Sequence, residues 1–214
     1  MTMTAELYIV VETVDGAAAE AQLRAVLPLS KITSVLIRPS PGTLLAPPMA
    51  KRLVELIQAR SIAALIADDT ALVRTLKADG VHLLWSKEQI ARFKEARDIL
   101  GDRTIVGADV GRSRHDAMEL GEAGADYIGF GIPAHVEDRA TAAERRLDLI
   151  DWWGEIFQIP CVAFDVEDAA SARDLANARA DFVAVTILPG MSPEDAARKV
   201  ADFAAALQFD EAPV

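Results

Sequence analysis

Six polar side chains stand at or near the ends of short apolar runs, where a backbone leaving a strand can turn a functional group into a shared cleft: Arg38, Asp68, His82, Asp109, Asp165 and Thr186. Lys87, Arg112, Arg114, His115 and His135 come in the segments that follow those runs. The cations suit an anion, since a chain of net charge −11 that binds one must concentrate positive charge locally. Arg112-Ser113-Arg114 suits this well, because a helix start adds its free N–H groups to the charge of the arginines. The alternative there is a solvated helix start with arginine paired to Asp116 or Glu119. Arg38 either meets a ligand or closes a salt bridge at a rim. Asp69 reads as the cap of a helix from Thr70, and Asp68 is a cap or a metal ligand. His82, between Val81 and Leu83, is either a hydrogen-bonded structural group or a base. Trp85 offers a flat face to a planar ring. No Ser, His and Asp set and no metal-spaced His and Cys cluster occurs, which sets aside covalent hydrolysis and a zinc centre.

Bringing such residues together requires many parallel strands ending on one side. Eight short β-branched runs, at 7–11, 34–38, 63–66, 80–83, 104–108, 127–130, 161–164 and 182–186, alternate with segments of helical apolar spacing. Helices are expected to start near Ala17, Met49, Thr70, Ser86, Arg114, Leu147, Ala169 and Pro193, the last signalled by Ser192-Pro193-Glu194-Asp195. Eight strand and helix units of about 27 residues predict a single (β/α)8 TIM barrel, with its site at the C-terminal ends of the strands. The turn Glu12-Thr13-Val14-Asp15-Gly16 lacks a dinucleotide fingerprint. The longest loops are expected at 39–48 and 131–146, both facing the mouth.

The 214 residues, 51% of them hydrophobic, suffice for one core, read as one domain structured over about 5–208 with a tail at 209–214. The acidic balance argues against nucleic acid, and the absence of a long apolar stretch or signal-like start argues against a membrane and for the cytoplasm. Cys161, inside an apolar run, reads as buried, and being the only cysteine it forms no disulfide within the chain. A homo-oligomer stays open.

Leu65-Ile66-Ala67-Asp68-Asp69 followed by Ala78-Asp79-Gly80-Val81-His82-Leu83 resembles the central motif of the thiamine phosphate synthase and TenI family. Leu7-Tyr8-Ile9-Val10, Val35-Leu36-Ile37-Arg38, and the run from Gly124 through Gly129 to Gly131 resemble its first, second and sixth strands. Ile159-Pro160-Cys161-Val162-Ala163 and Ala180-Asp181-Phe182-Val183-Ala184-Val185 resemble its seventh and eighth. The resemblance implies joining an aminopyrimidine diphosphate to a thiazole phosphate with loss of pyrophosphate and with magnesium, or, in the TenI branch, aromatising the thiazole phosphate. It matches Arg38 to the family's motif arginine and Asp68 to its first magnesium aspartate; with the residues at the strand ends this gives a catalytic set of Arg38, Asp68 and Lys87, Asp68 as the metal ligand, and a substrate-binding set of His82, Trp85, Asp109, Arg112, Arg114, Gly129, Gly131, Asp165 and Thr186.

The family pattern is broken at several positions. The Gln and Lys flanking the motif arginine become Leu36 and Ser40, and the Asn before the metal aspartate becomes Ala67. The run carrying the second metal carboxylate reads Leu84-Trp85-Ser86-Lys87, and the glycine pair after the seventh strand reads Phe164-Asp165. Expected consequences are weak magnesium binding, Lys87 paired with Asp68, and a closed phosphate pocket beside Asp165, with Arg38 and one of Arg112 and Arg114 converging on a small anionic substrate. The alternatives are a catalytically silent barrel that binds a thiamine precursor, another phosphate-bearing heteroaromatic or a protein partner, or a phosphosugar isomerase or epimerase.

Overall fold

Alternation of apolar residues sets a β/α rhythm that closes on itself. The computed structural model describes residues 5–29, 31–133 and 135–208. Strands β1 (Glu6–Thr13), β2 (Ile32–Pro39), β3 (Ala63–Ala67), β4 (Gly80–Leu83), β5 (Ile105–Asp109), β6 (Tyr127–Phe130), β7 (Cys161–Ala163) and β8 (Phe182–Ile187) form a closed parallel barrel. The helices α1 (Gly16–Val26), α2 (Pro47–Gln58), α3 (Thr70–Leu76), α4 (Gln89–Leu100), α5 (Arg114–Glu122), α6 (Arg139–Ile156), α7 (Ala169–Asn177) and α8 (Pro193–Leu207) follow one strand each. This is the TIM barrel expected from the sequence. No described helix is long and apolar enough to cross a membrane. The tail expected at 209–214 lies outside the described residues.

Period-two alternation divides each strand between two cores. Outward residues such as Ile9, Val11, Ile37, Ile66, Val106 and Val185 pack on helix residues including Leu23, Leu53, Phe93, Leu120, Trp153 and Phe203. Inward residues Tyr8, Val10, Leu36, Leu65, Ala67, Tyr127, Val162, Phe164 and Ala184 fill the barrel. The pairing of Glu12 with Arg38 in register continues the inward face of β1 and β2 upward.

Side-chain caps fix most helix starts. Asp15, Asp69, Ser113, Asp138, Asp168 and Ser192 each accept a backbone N–H from the first turn. Asp138, bonded to the Thr141 N–H at 3.0 Å, starts α6 eight residues before the expected Leu147. The loop after β6 therefore spans 131–138 rather than 131–146. The polar, alanine-rich stretch 139–146 lacks an apolar stripe, so periodicity concealed its helix. Helix α4 starts at Gln89, later than Ser86, and α2 at Pro47, where two prolines suit the first turn. Cys161 is buried, and burial pushes its thiol up to about 12, leaving it inert.

At the opposite end of the barrel, three Ala-Asp pairs do one architectural job. Asp79, Asp126 and Asp181, each just before a strand, accept the N–H of Ala64, Val106 and Cys161, at 2.8, 2.7 and 2.8 Å. Each pins the start of the preceding strand.

Candidate active site

The inward face of the strands carries a stack of polar groups toward the C-terminal mouth. Deepest is a buried chain: the Tyr8 and Tyr127 hydroxyls lie 2.9 Å apart, and the Tyr127 hydroxyl lies 2.9 Å from His82 Nδ1. The Tyr127 ring crosses over Gly107, where an added Cβ would stand 2.0 Å from it. The His82 ring packs on Tyr127 and Phe164, at centroid distances of 5.7 and 4.6 Å. Burial, reinforced by Arg38, lowers the His82 pKa to about 3, so the imidazole is neutral at pH 7. His82 sits level with Gly107, two residues below Asp109 on the neighbouring strand.

Above this chain lies an ion pair and two carboxylates. Arg38 donates to Glu12 Oε2 at 2.9 Å, and both side chains are largely buried. Of the alternatives for Arg38, the salt bridge is formed, within the mouth. Asp109 Oδ1 accepts the Gly111 N–H at 2.7 Å, and Asp165 Oδ2 accepts the Ile132 N–H at 2.8 Å. Their other contact is with each other's surroundings: a Cβ on Gly131 would stand 2.6 Å from Asp109 Oδ2 and 3.0 Å from Asp165 Oδ2. Two oxygens so close to one point lie within about 6 Å of each other, near enough for like charges to interact strongly. Burial first, and the Asp165 charge among the further causes, raise the Asp109 pKa to about 7.

Asp165 has a left-handed backbone, at φ 55°, a conformation that favours glycine. Arg146 of α6 holds this turn from behind, donating to the carbonyls of Phe164 and Asp165. Phe164 is buried inside the barrel. Thr186 lies on the inward face near the end of β8, and its carbonyl accepts from Lys199 at 2.9 Å. The rim carries Trp85, which packs over Gly111 and lies 5.8 Å from the ring of His135.

The remaining candidates face elsewhere. Asp68, also left-handed at φ 59°, accepts the Leu84 N–H at 2.9 Å and the Arg92 guanidinium at 2.6 Å. The expected partner Lys87 is exposed; α4 supplies Arg92 instead, because its first turn passes directly over the end of β4, where Arg92 also bonds the Leu84 carbonyl. Arg114 is drawn to α6, its guanidinium 4.7 Å from the Trp152 ring centre, and Arg112 is exposed in the loop before α5. Gly129 leaves room for Phe164 and His82, 2.9 and 3.1 Å from where its Cβ would be. Sequence reasoning missed Glu12, Arg92 and Arg146. Glu12 was legible from alternation, two residues beyond Val10, whereas Arg92 and Arg146 lie inside helices with no local mark.

The model of the family described as thiamine monophosphate synthase matches residues 7–187. The chain belongs to that family. It is 41% identical over 143 residues to the thiamine-phosphate synthase of Erythrobacter litoralis, covering 64% of this chain and 66% of that protein, slightly under two thirds of its length. It is 37% identical over 150 residues to that of Rhodospirillum centenum, covering 69% and 70%. Among solved structures, a thiamine phosphate pyrophosphorylase from Pyrococcus furiosus superposes with a TM-score of 0.72 at 20% identity, covering 97% of both chains, a likeness of fold.

The family's resemblance calls for magnesium, and the residues present do not fit it. A hard cation needs several oxygen ligands. Asp68 Oδ1 is already shared between a guanidinium and a backbone N–H, Asp69 Oδ1 caps α3, and Lys87 brings a positive charge where a second carboxylate is required.

Proposed function

We propose that this family member acts in thiamine biosynthesis at the mouth of its barrel, in the cytoplasm, on a small heteroaromatic precursor, with the metal-assisted transfer of its relatives weakened or lost. The observation that carries this is the Arg92 guanidinium on Asp68, which occupies the carboxylate that the family resemblance gives to magnesium. The neutral His82, the Arg38–Glu12 pair and Asp109 form a floor that orients a ring, and Trp85 supplies a wall on which it stacks. Lys87 and Arg112, both exposed near the rim, are available to the anionic end of a substrate. The closed turn at Phe164-Asp165 supports weak phosphate binding and favours a precursor-binding barrel with little turnover as the second reading.

Thermal shift with each precursor tests the proposal, because a ligand that binds only the folded state raises its melting temperature. At least one of the aminopyrimidine diphosphate and the thiazole phosphate is expected to raise it, with the rise reduced in Trp85→Ala. No shift from either, up to millimolar concentration, would overturn it.

A further inference from the structure

We propose that Asp109 and Asp165 determine specificity, so that the β5–β7 side of the mouth receives the amino edge of a nitrogen heteroaromatic rather than a phosphate. This deepens the function proposed above and rests on the mouth being the substrate site. The two carboxyls meet across Gly131, whose missing Cβ alone permits the approach. Among the described residues neither has a cation within salt-bridge distance. Arg38 is bonded to Glu12, and Arg146 donates through one guanidinium nitrogen to the Phe164 and Asp165 carbonyls rather than to either carboxylate. Both carboxyls are partly open to solvent, so a ligand in the mouth reaches them.

Two further polar groups, just past the end of β2 and on β4, bear on what the mouth can hold. Ser40 continues the alternation of Leu36 and Arg38, and its N–H extends the ladder by bonding Thr13 at 3.0 Å. Its hydroxyl is buried and has no hydrogen-bond partner. His82 is almost wholly buried, and its Nδ1 is taken by the Tyr127 hydroxyl. The imidazole rises from its own level to within 3.1 Å of the Cβ position of Gly129, one layer nearer the mouth. Buried polar groups are rarely left unpaired without a reason.

The chemistry of the lining selects the ligand. Carboxylates are acceptors, and a carboxyl that retains its proton is also a donor, so the pair matches an amino group beside a ring nitrogen. The raised pKa of Asp109 supports this mixed state at neutral pH. A phosphate dianion there meets the Asp165 charge and finds no side-chain cation in salt-bridge contact with either carboxyl. Any anionic group on the ligand then points toward the rim cations Lys87 and Arg112.

The test uses the full chain with 2,4-diaminopyrimidine and inorganic phosphate as probes, read by saturation-transfer NMR and equilibrium dialysis. Diaminopyrimidine is expected to bind the wild type, and Asp109→Asn with Asp165→Asn to weaken it about tenfold or more, the loss expected for a hydrogen bond to a charged group. Asn tolerates left-handed backbone, so Asp165→Asn alone serves if the double variant fails to fold. Diaminopyrimidine binding that is absent, or unchanged in the Asn variants, overturns the inference, as does phosphate competing for the wild-type site as well as diaminopyrimidine does. Trp85→Ala separates the two levels: precursor binding that depends on Trp85 but not on the aspartates leaves the mouth as the site and sinks only the carboxyl role.

Discussion

Replacing Asp109 by asparagine should stabilise the barrel, by an amount that grows as pH rises from about 4 and levels off above about 7. Burial is the largest cause of the rise in the Asp109 pKa from 3.8 to about 7, with the neighbouring Asp165 charge adding to it. A group whose folded pKa lies above its unfolded value binds more protons in the native state between the two, so its contribution is full below about pH 4 and lost as pH rises through about 7. Three units correspond to about 4 kcal/mol, reduced to about 2 kcal/mol because solvent partly reaches the carboxyl. His82 acts in the opposite sense. Its pKa, lowered to about 3 by burial and then by Arg38, makes the unfolded state bind more protons from about pH 3 to 6.5, so its contribution is lost as pH falls. The two effects overlap and flatten the wild-type curve, whereas the difference between variant and wild type isolates Asp109. Urea unfolding from about pH 4.5 to 8.5 should show Asp109→Asn gaining about 2 kcal/mol over wild type across that range. A difference that stays constant with pH would refute the buried, charge-coupled description of Asp109.

Three other experiments probe separate parts of the architecture. Tyr127→Phe strands the Tyr8 hydroxyl and His82 Nδ1 inside the barrel and should cost about 1–3 kcal/mol in urea unfolding; an unchanged midpoint would show that the buried chain is not formed. Gly107→Ala drives a methyl into the Tyr127 ring and should destabilise by about 3 kcal/mol or more, whereas Ala at exposed Gly190, with nothing near its Cβ, should change stability little; equal effects would contradict the interior packing. Magnesium at millimolar concentration should leave the wild-type melting temperature unmoved, while Lys87→Asp with Arg92→Leu, which frees Asp68 and adds a second carboxylate, should make it rise with magnesium; a rise in the wild type alone would overturn the reading of Asp68.

The barrel was legible because its strands announce themselves twice, by β-branched alternation and by the Ala-Asp pairs at 78–79, 125–126 and 180–181. Those pairs, part of the family resemblance, pin strand starts at the far end from the mouth. The resemblance therefore rests largely on architecture. Helix α6 was misplaced because a capping aspartate and a polar first half leave no periodic stripe. At the site, Arg38, Asp109 and Asp165 were visible as polar residues closing apolar runs. Their partners were not, since a salt bridge to Glu12 depends on strand register and the reach of Arg92 to Asp68 depends on how α4 crosses the end of β4. Asp165 adopts a left-handed backbone, a conformation that sequence alone does not reveal.

The barrel keeps the family's architecture, and the proposed function requires that Arg92 and Lys87 have displaced its metal chemistry. Steady-state formation of thiamine phosphate from the aminopyrimidine diphosphate and the thiazole phosphate, with and without magnesium and beside an active relative, tests it most directly. Losing metal and phosphate stabilisation should leave the rate about 100-fold or more below the relative's and insensitive to magnesium. A magnesium-dependent rate matching the relative's would contradict the account.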